Sequence, residues 1–239
     1  MAGNTPNRRR NVVRSSTSTR PKTFYYVLGA IAILGASILG YTLLRKPSGA
    51  VGTPVSVDPT ALGPAQGYTL GKADAPVKIV EFADFECPSC GQFSTVTEPD
   101  VRKRLIDTGI ASMTFYDFPL PQHKNSEGAS QAAACANDQG KFWEMHDRIF
   151  LTQDQWNTQA TDNPKPFFRK YASDIGLNAA AWESCYDSQK HRLRVLSNRA
   201  EGERRKVNST PTFIIGDKMY PGALAYDALK AIVDSAAQK

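Results

Sequence analysis

The first 57 residues contain no aspartate or glutamate. They do contain Arg8, Arg9, Arg10, Arg14, Arg20, Lys22, Arg45 and Lys46, eight charges against a formal net charge of +6 for the whole chain, which leaves −2 for the rest. The basic character therefore belongs to an N-terminal tail, and the remainder is not expected to present a nucleic-acid surface. Histidine is scarce too: His123, His146 and His191 are the three present, and none falls in the paired spacing of a zinc site. Cysteine occurs four times. Cys87 and Cys90 form one close pair, whereas Cys135 and Cys185 stand 50 positions apart, so the second close pair of a zinc clip is missing and no metal is expected. No internal repeat is visible.

The composition is that of a globular protein, with 41% hydrophobic and 22% charged residues. One stretch departs from it. "FYYVLGAIAILGASILGYTLL", residues 24–44, holds 21 residues without a charge. As a helix it would span roughly 30 Å, the thickness of a bilayer's hydrocarbon core. Tyr25, Tyr26 and Tyr41 lie near its ends, where interfacial aromatics collect. The preponderance of Lys/Arg before it predicts an N-terminus in the cytoplasm and an exported C-terminal part. The alternative is a cleaved signal peptide, for which "PSGA" at 47–50 is a weak cleavage site and the apolar run is long. The organisation expected is a basic cytoplasmic tail over 1–23, a transmembrane anchor over 24–44 and a flexible Pro/Gly/Ser-rich linker over 45–66. A folded domain is expected over 67–239.

Within that domain "APVKIVEFADF" (75–85) reads as a buried strand, 90–107 as a helix kinked at Pro99, and "IASMTFYDFPL" (110–120) as a second strand. That order predicts a parallel crossover. Helical patterns follow at 126–139, 140–152, 164–176, 179–188 and 190–207. "PTFIIGD" (211–217) reads as a strand, "KMYPG" as its hairpin partner and 223–238 as a closing helix.

"FADFECPSCGQF", "AACANDQGKFWEMHDRIF" and "VNSTPTFIIGD" together resemble the DsbA-like thiol–disulfide oxidoreductases of bacterial envelopes, members of the thioredoxin superfamily. The resemblance spans about residues 67–239 and implies an α/β thioredoxin fold with a helical insertion at about 121–207. It implies that Cys87 is the exposed nucleophile and Cys90 the buried resolving thiol. It also implies a cis peptide bond before Pro211, with Thr210 and Pro211 lying against the cysteines and open to an extended substrate. No cofactor is implied. The implied partners are exported proteins with free cysteines and a membrane redox partner of the DsbB or vitamin-K-epoxide-reductase type.

The residues support the same chemistry independently. A thiolate is the attacking species, and a helix N-terminus just after Cys87 favours its negative charge. Pro88 suits a first helical turn. Glu86 would oppose the thiolate if its carboxylate pointed inward. Cys135 and Cys185, in an oxidising compartment, read as a structural disulfide within the helical block; two buried apolar cysteines or a second redox pair are the alternatives. His146 reads as a satisfied core histidine among Phe142, Met145, Ile149 and Phe150. The expected function is disulfide donation. Its rivals are a reductase or isomerase, for example in cytochrome c maturation, and a non-catalytic chaperone or assembly factor.

Overall fold

A computed structural model describes residues 22–44 and 62–238 and divides the chain into two compact units at Val51 and Gly52. In the first unit, α1 runs over Lys22–Leu44. Its uninterrupted stretch of described side chains is residues 25–37, and among the described residues no helix is long and apolar enough to cross a membrane. The expected anchor at 24–44 lies within α1, and nothing among the described residues shows it to span a membrane. Nearly all of the basic tail (1–23) and most of the linker (45–66) lie outside the described residues.

The second unit is built on five strands, β1 (Tyr68–Leu70), β2 (Val77–Ala83), β3 (Ala111–Asp117), β4 (Thr212–Ile215) and β5 (Lys218–Pro221), in the spatial order β1-β3-β2-β4-β5. β2 and β3 are parallel, in the register Glu81↔Phe115; β4 and β5 add antiparallel, and so does β1 on the other edge. The β1 edge strand is a correction to the sequence reading, in which the first strand begins at 75. Three residues carry too little periodicity to be seen, and β1 is defined by its pairing with β3 rather than by its own pattern.

Alternation along β2 sends Val77, Ile79, Glu81 and Ala83 to one face of the sheet. There Ile79 packs with Phe93, Val101 and Leu105, and with Leu229 and Val233 of the last helix. Phe82 points the other way, to Phe118 and Val207. On that side a Cβ at Gly202, in the helix Arg192–Arg204, would stand 2.5 Å from the Phe118 ring, so only glycine lets that helix approach.

The helix that bridges β2 and β3 begins at Pro88 and runs to Ile106 as four pieces: α2 (Pro88–Gln92), a widened π turn (Phe93–Thr97), α3 (Glu98–Val101) and a second π turn (Arg102–Ile106). A kink at Pro99 is the sequence expectation; widened turns on both sides of Pro99 are what is found. Proline has no N–H to give the preceding turn, and a π turn absorbs that misfit without ending the helix.

Between β3 and β4 stand α4 (Ser126–Asn137), α5 (Phe142–Leu151), α6 (Gln153–Trp156), α7 (Lys165–Asp174), α8 (Ala179–Asp187) and α9 (Arg192–Arg204), and α10 (Tyr226–Ala236) closes the described chain. The single-turn α6 is the helix the sequence reading lacks. The insertion has its own core, in which Trp156, Phe168, Tyr171 and Trp182 are fully enclosed.

Candidate active site

β2 ends at Ala83, and four residues later Cys87 occupies the N-cap of α2 with extended backbone angles, φ −70° and ψ 123°. Pro88 fills the first helical position, where a missing N–H costs nothing. The Cys87 carbonyl accepts from Gly91 N at 3.1 Å, which starts the helix. Both cysteines are present as thiols. Both are buried, Cys87 with 7% of its surface left and Cys90 with none, so the nucleophile expected to be exposed is only the less enclosed of the two.

Their acidities diverge for physical reasons. The Cys87 thiol is lowered to about 6, first by a hydrogen bond from the Cys90 thiol; Thr210 and the backbone N–H groups of Cys90 and Ser89 add to this, and burial opposes it. The Cys90 thiol is pushed up well above its ordinary value, by burial first, then by Cys87, with Glu81 contributing. The Cys87 sulfur lies 3.4 Å from the Thr210 carbonyl oxygen, to which its S–H donates. The Thr210 hydroxyl is enclosed without a partner. The Thr210–Pro211 peptide bond is cis. The structure thus brings Cys87, Cys90, Thr210 and Pro211 together. It places Cys135 and Cys185 elsewhere, joined as a disulfide between α4 and α8 with Cα atoms 5.8 Å apart.

The turn carrying Cys87 is held by the insertion. Asp84 is fully buried: its Oδ1 accepts from Glu86 N (2.8 Å) and the Ser126 hydroxyl, and its Oδ2 from Leu120 N (2.8 Å) and His123 Nδ1 (2.7 Å). Glu86 is oriented the same way, with Oε2 accepting from Asn125 N at 2.9 Å and Oε1 from Thr158 N. Both its oxygens are engaged by the insertion. Gln153 Nε2 donates to Phe85 O (2.6 Å) and Cys87 O (2.9 Å), its carboxamide lying where a Gly91 Cβ would be. His123 has its pKa raised by the hydrogen bond to Asp84, with Glu86 and Cys87 adding to it.

Two groups belong to the site without having been read from the sequence. Glu81 sits mid-strand on the face that carries Ala83 beside the two cysteines; burial first, then Glu98, keeps its carboxyl well above the usual range. A signal was available: an acid at an inward position of the otherwise apolar "VKIVEFA". Gln153 had none, because its contact is made across 66 residues of chain. His146 is corrected as well. It is enclosed as expected, but its Nε2 has no partner, so it is not a satisfied core histidine.

Among the described residues two clusters have metal-ligand chemistry. The sulfurs of Cys135 and Cys185 beside His191 are spent on each other. The carboxylates of Glu98 and Asp147 beside His146 are already paired with the Arg102 guanidinium, at 2.6 Å each, which supplies the positive charge a cation would.

The thioredoxin family matches residues 65–235. The Na(+)/H(+) antiporter NhaA 3 of Salinispora tropica is 31% identical over 215 residues, covering 90% of this chain and 30% of that one. The chain spans about three tenths of the length of the first curated relatives it matches. The probable disulfide bond formation protein D of Bacillus anthracis is 29% identical over 184 residues, covering 72% of this chain and 78% of that one. Among solved structures, alpha-DsbA1 of Wolbachia pipientis superposes with a TM-score of 0.65 over 75% of this chain and 94% of that one at 20% identity, a likeness of fold.

Proposed function

Since the chain belongs to the thioredoxin family, we propose that it is a thiol–disulfide oxidoreductase that donates its Cys87–Cys90 disulfide to exported proteins. The observation that carries this reading is the pair of unequal thiols, one less enclosed and acidic, the other fully enclosed and weakly acidic. A disulfide between them opens in one direction. A substrate thiolate attacks the Cys87 sulfur, the Cys87–Cys90 bond breaks, and Cys90 leaves as a thiolate that takes the proton of the Glu81 carboxyl. A second substrate thiolate then attacks the substrate sulfur of the mixed disulfide, and Cys87 leaves as the stabilised thiolate. The substrate gains one disulfide, and two electrons remain on the Cys87–Cys90 dithiol. Stabilising the reduced form makes the disulfide the better oxidant.

Thr210 and Pro211 frame the sulfur and offer main chain to an extended peptide. The uncharged run of residues 24–44 anchors the domain outside the cytoplasm, and a quinone-linked membrane oxidase accepts its electrons. The Bacillus relative bears a name in disulfide bond formation, which favours the same direction.

The test is the equilibrium potential of Cys87–Cys90 against glutathione. An oxidant lies well above the roughly −270 mV of a cytosolic thioredoxin. A value at or below that level makes the protein a reductase. Oxidation of reduced ribonuclease A by the purified domain, lost in Cys87→Ala, completes the test.

A further inference from the structure

Behind the two thiols lie three enclosed polar atoms with no hydrogen-bond partner: Glu81 Oε2, Glu98 Oε2 and His146 Nε2. Each such atom costs free energy, and three close together call for a reason. They are arranged in series. Glu81 faces the Pro88–Ile106 helix, between the uncharged neighbours Phe115 on β3 and Phe213 on β4. Glu98 rises from that helix and is 1% exposed. The His146 ring, on α5, stands edge-on to Phe115 with centroids 5.1 Å apart, and its Nε2 is 3.9 Å from Glu98 Oε2. On its other side His146 Nδ1 is 2.8 Å from Asp147 Oδ1, and the Asp147 side chain is half-exposed. The row starts behind Cys90 and ends at water.

The donors and acceptors give the row a direction. Asp147 is a carboxylate held below its usual range by His146 and Arg102 against the opposing effect of burial, so it accepts and His146 Nδ1 carries the proton. His146 Nε2 then presents a lone pair to a carboxylate oxygen. The other oxygen of Glu98 is filled by Arg102 Nε (2.8 Å) and Nη2 (2.6 Å). Two acceptors face each other at 3.9 Å, and a proton on either one would draw them into a hydrogen bond. The rings of Phe85, Phe115, Phe142, Trp143 and Phe150 surround the imidazole at 4.8–5.9 Å, which leaves as its polar neighbours Glu98, Asp147 and the Arg102 guanidinium, whose Nη2 stands 3.5 Å from Nδ1, farther than Asp147 Oδ1.

We propose that Glu98 and His146 carry protons between Glu81, the proton partner of buried Cys90, and solvent at Asp147. Outward, the Glu81 carboxyl gives its proton to the Glu98 carboxylate, which passes it to His146 Nε2 while Nδ1 releases its own to Asp147 and water. Inward, Nε2–H returns a proton to Glu98 and Nδ1 regains one from Asp147. The imidazole alternates between its two tautomers, and no proton is gained or lost over a cycle. The demand alternates likewise: Cys90 takes a proton when it leaves and gives it up before it attacks. Arg102 stays charged and holds both carboxylates in place.

This inference rests on the reading of Glu81 as proton partner of Cys90, and the test separates the two. Cys87 is converted to a mixed disulfide with thionitrobenzoate, and the attack by Cys90 is followed as release of the coloured thiolate across pH, in water and in heavy water. His146→Phe, which fits the aromatic surroundings, and Glu98→Gln should each slow release about 100-fold, the low end of what a positioned proton carrier contributes. Both should enlarge the solvent isotope effect. Iodoacetamide labelling of Cys87 should keep its midpoint at about pH 6 in both variants. Imidazole buffer should restore part of the rate in His146→Ala. Wild-type rates and pH profiles in both His146→Phe and Glu98→Gln overturn the proton path. Slow release with a displaced Cys87 midpoint and no rescue overturns it in favour of a packing role, and a wild-type rate that falls with chelator overturns it in favour of a metal. An unaltered rate in Glu81→Gln removes instead the premise about Glu81.

Discussion

Two sulfurs three positions apart are given opposite chemistries by their surroundings, and most of the difference is short-range. The largest contribution to the low pKa of Cys87 is the hydrogen bond from Cys90. In Cys90→Ala that donor is gone, so the midpoint of Cys87 alkylation should move upward from about 6 and remain below the ordinary thiol value of 9.0, because the N–H groups at the start of α2 persist. Iodoacetamide labelling across pH measures this; an unchanged midpoint would mean that the helix end alone sets the acidity. Gln153 acts on the same turn through two carbonyl oxygens. Gln153→Ala should cost about 1–3 kcal/mol for the two lost hydrogen bonds. Gln153→Glu should cost more, since it sets an acceptor against two acceptors; urea unfolding of both variants decides. The pair Cys87-x-x-Cys90 was legible because spacing and strand–helix context are local. Gln153 was not, since nothing near residue 153 says that it reaches residue 85.

The elements show the same division. The β2–helix–β3 crossover and the β4–β5 hairpin could be read from periodicity and turn residues, whereas β1 and α6 exist through contacts made elsewhere. The widened turns around Pro99 lie between these cases: proline announced an irregularity but not its form. The tie between α4 and α8 belongs to this scale. Cys135 and Cys185 close a loop of 50 residues, and in the chain-entropy model removing such a link costs about 4 kcal/mol. Cys135→Ala should therefore lower the unfolding midpoint in urea while leaving the alkylation midpoint of Cys87 at about 6. A change in that midpoint would show that the insertion tunes the site electrically as well as mechanically. For the segment at 24–44, alkaline phosphatase fused after Ala50 should be active; an inactive fusion would refute an exported domain.

For the whole molecule, oxidation state and pH become linked variables. In the reduced protein Cys87 has a folded pKa of about 6 against 9.0 for an ordinary thiol. A depressed acid contributes stability that is complete above the unfolded value and vanishes as pH falls through the folded one. The reduced domain should thus gain in Tm between about pH 6 and about pH 9 relative to the oxidised domain, whose sulfurs do not titrate. Calorimetry of both forms tests the sign, and parallel curves would contradict the acidity assigned to Cys87.

The distribution of the four cysteines along the chain also sets an order of events. An exported segment that emerges from a translocon in chain order delivers Cys87 and Cys90, then Cys135, and only 50 residues later Cys185. For that interval the sulfurs within reach of Cys135 are the two that must remain free. The segments that close over Cys87, around Gln153 and Thr158 and then Thr210, also emerge after Cys135. A newborn copy of this protein is therefore exposed to mispairing of the kind that, on the proposed function, its mature form prevents in others. Its own maturation would benefit from earlier copies already folded on the far side of the membrane.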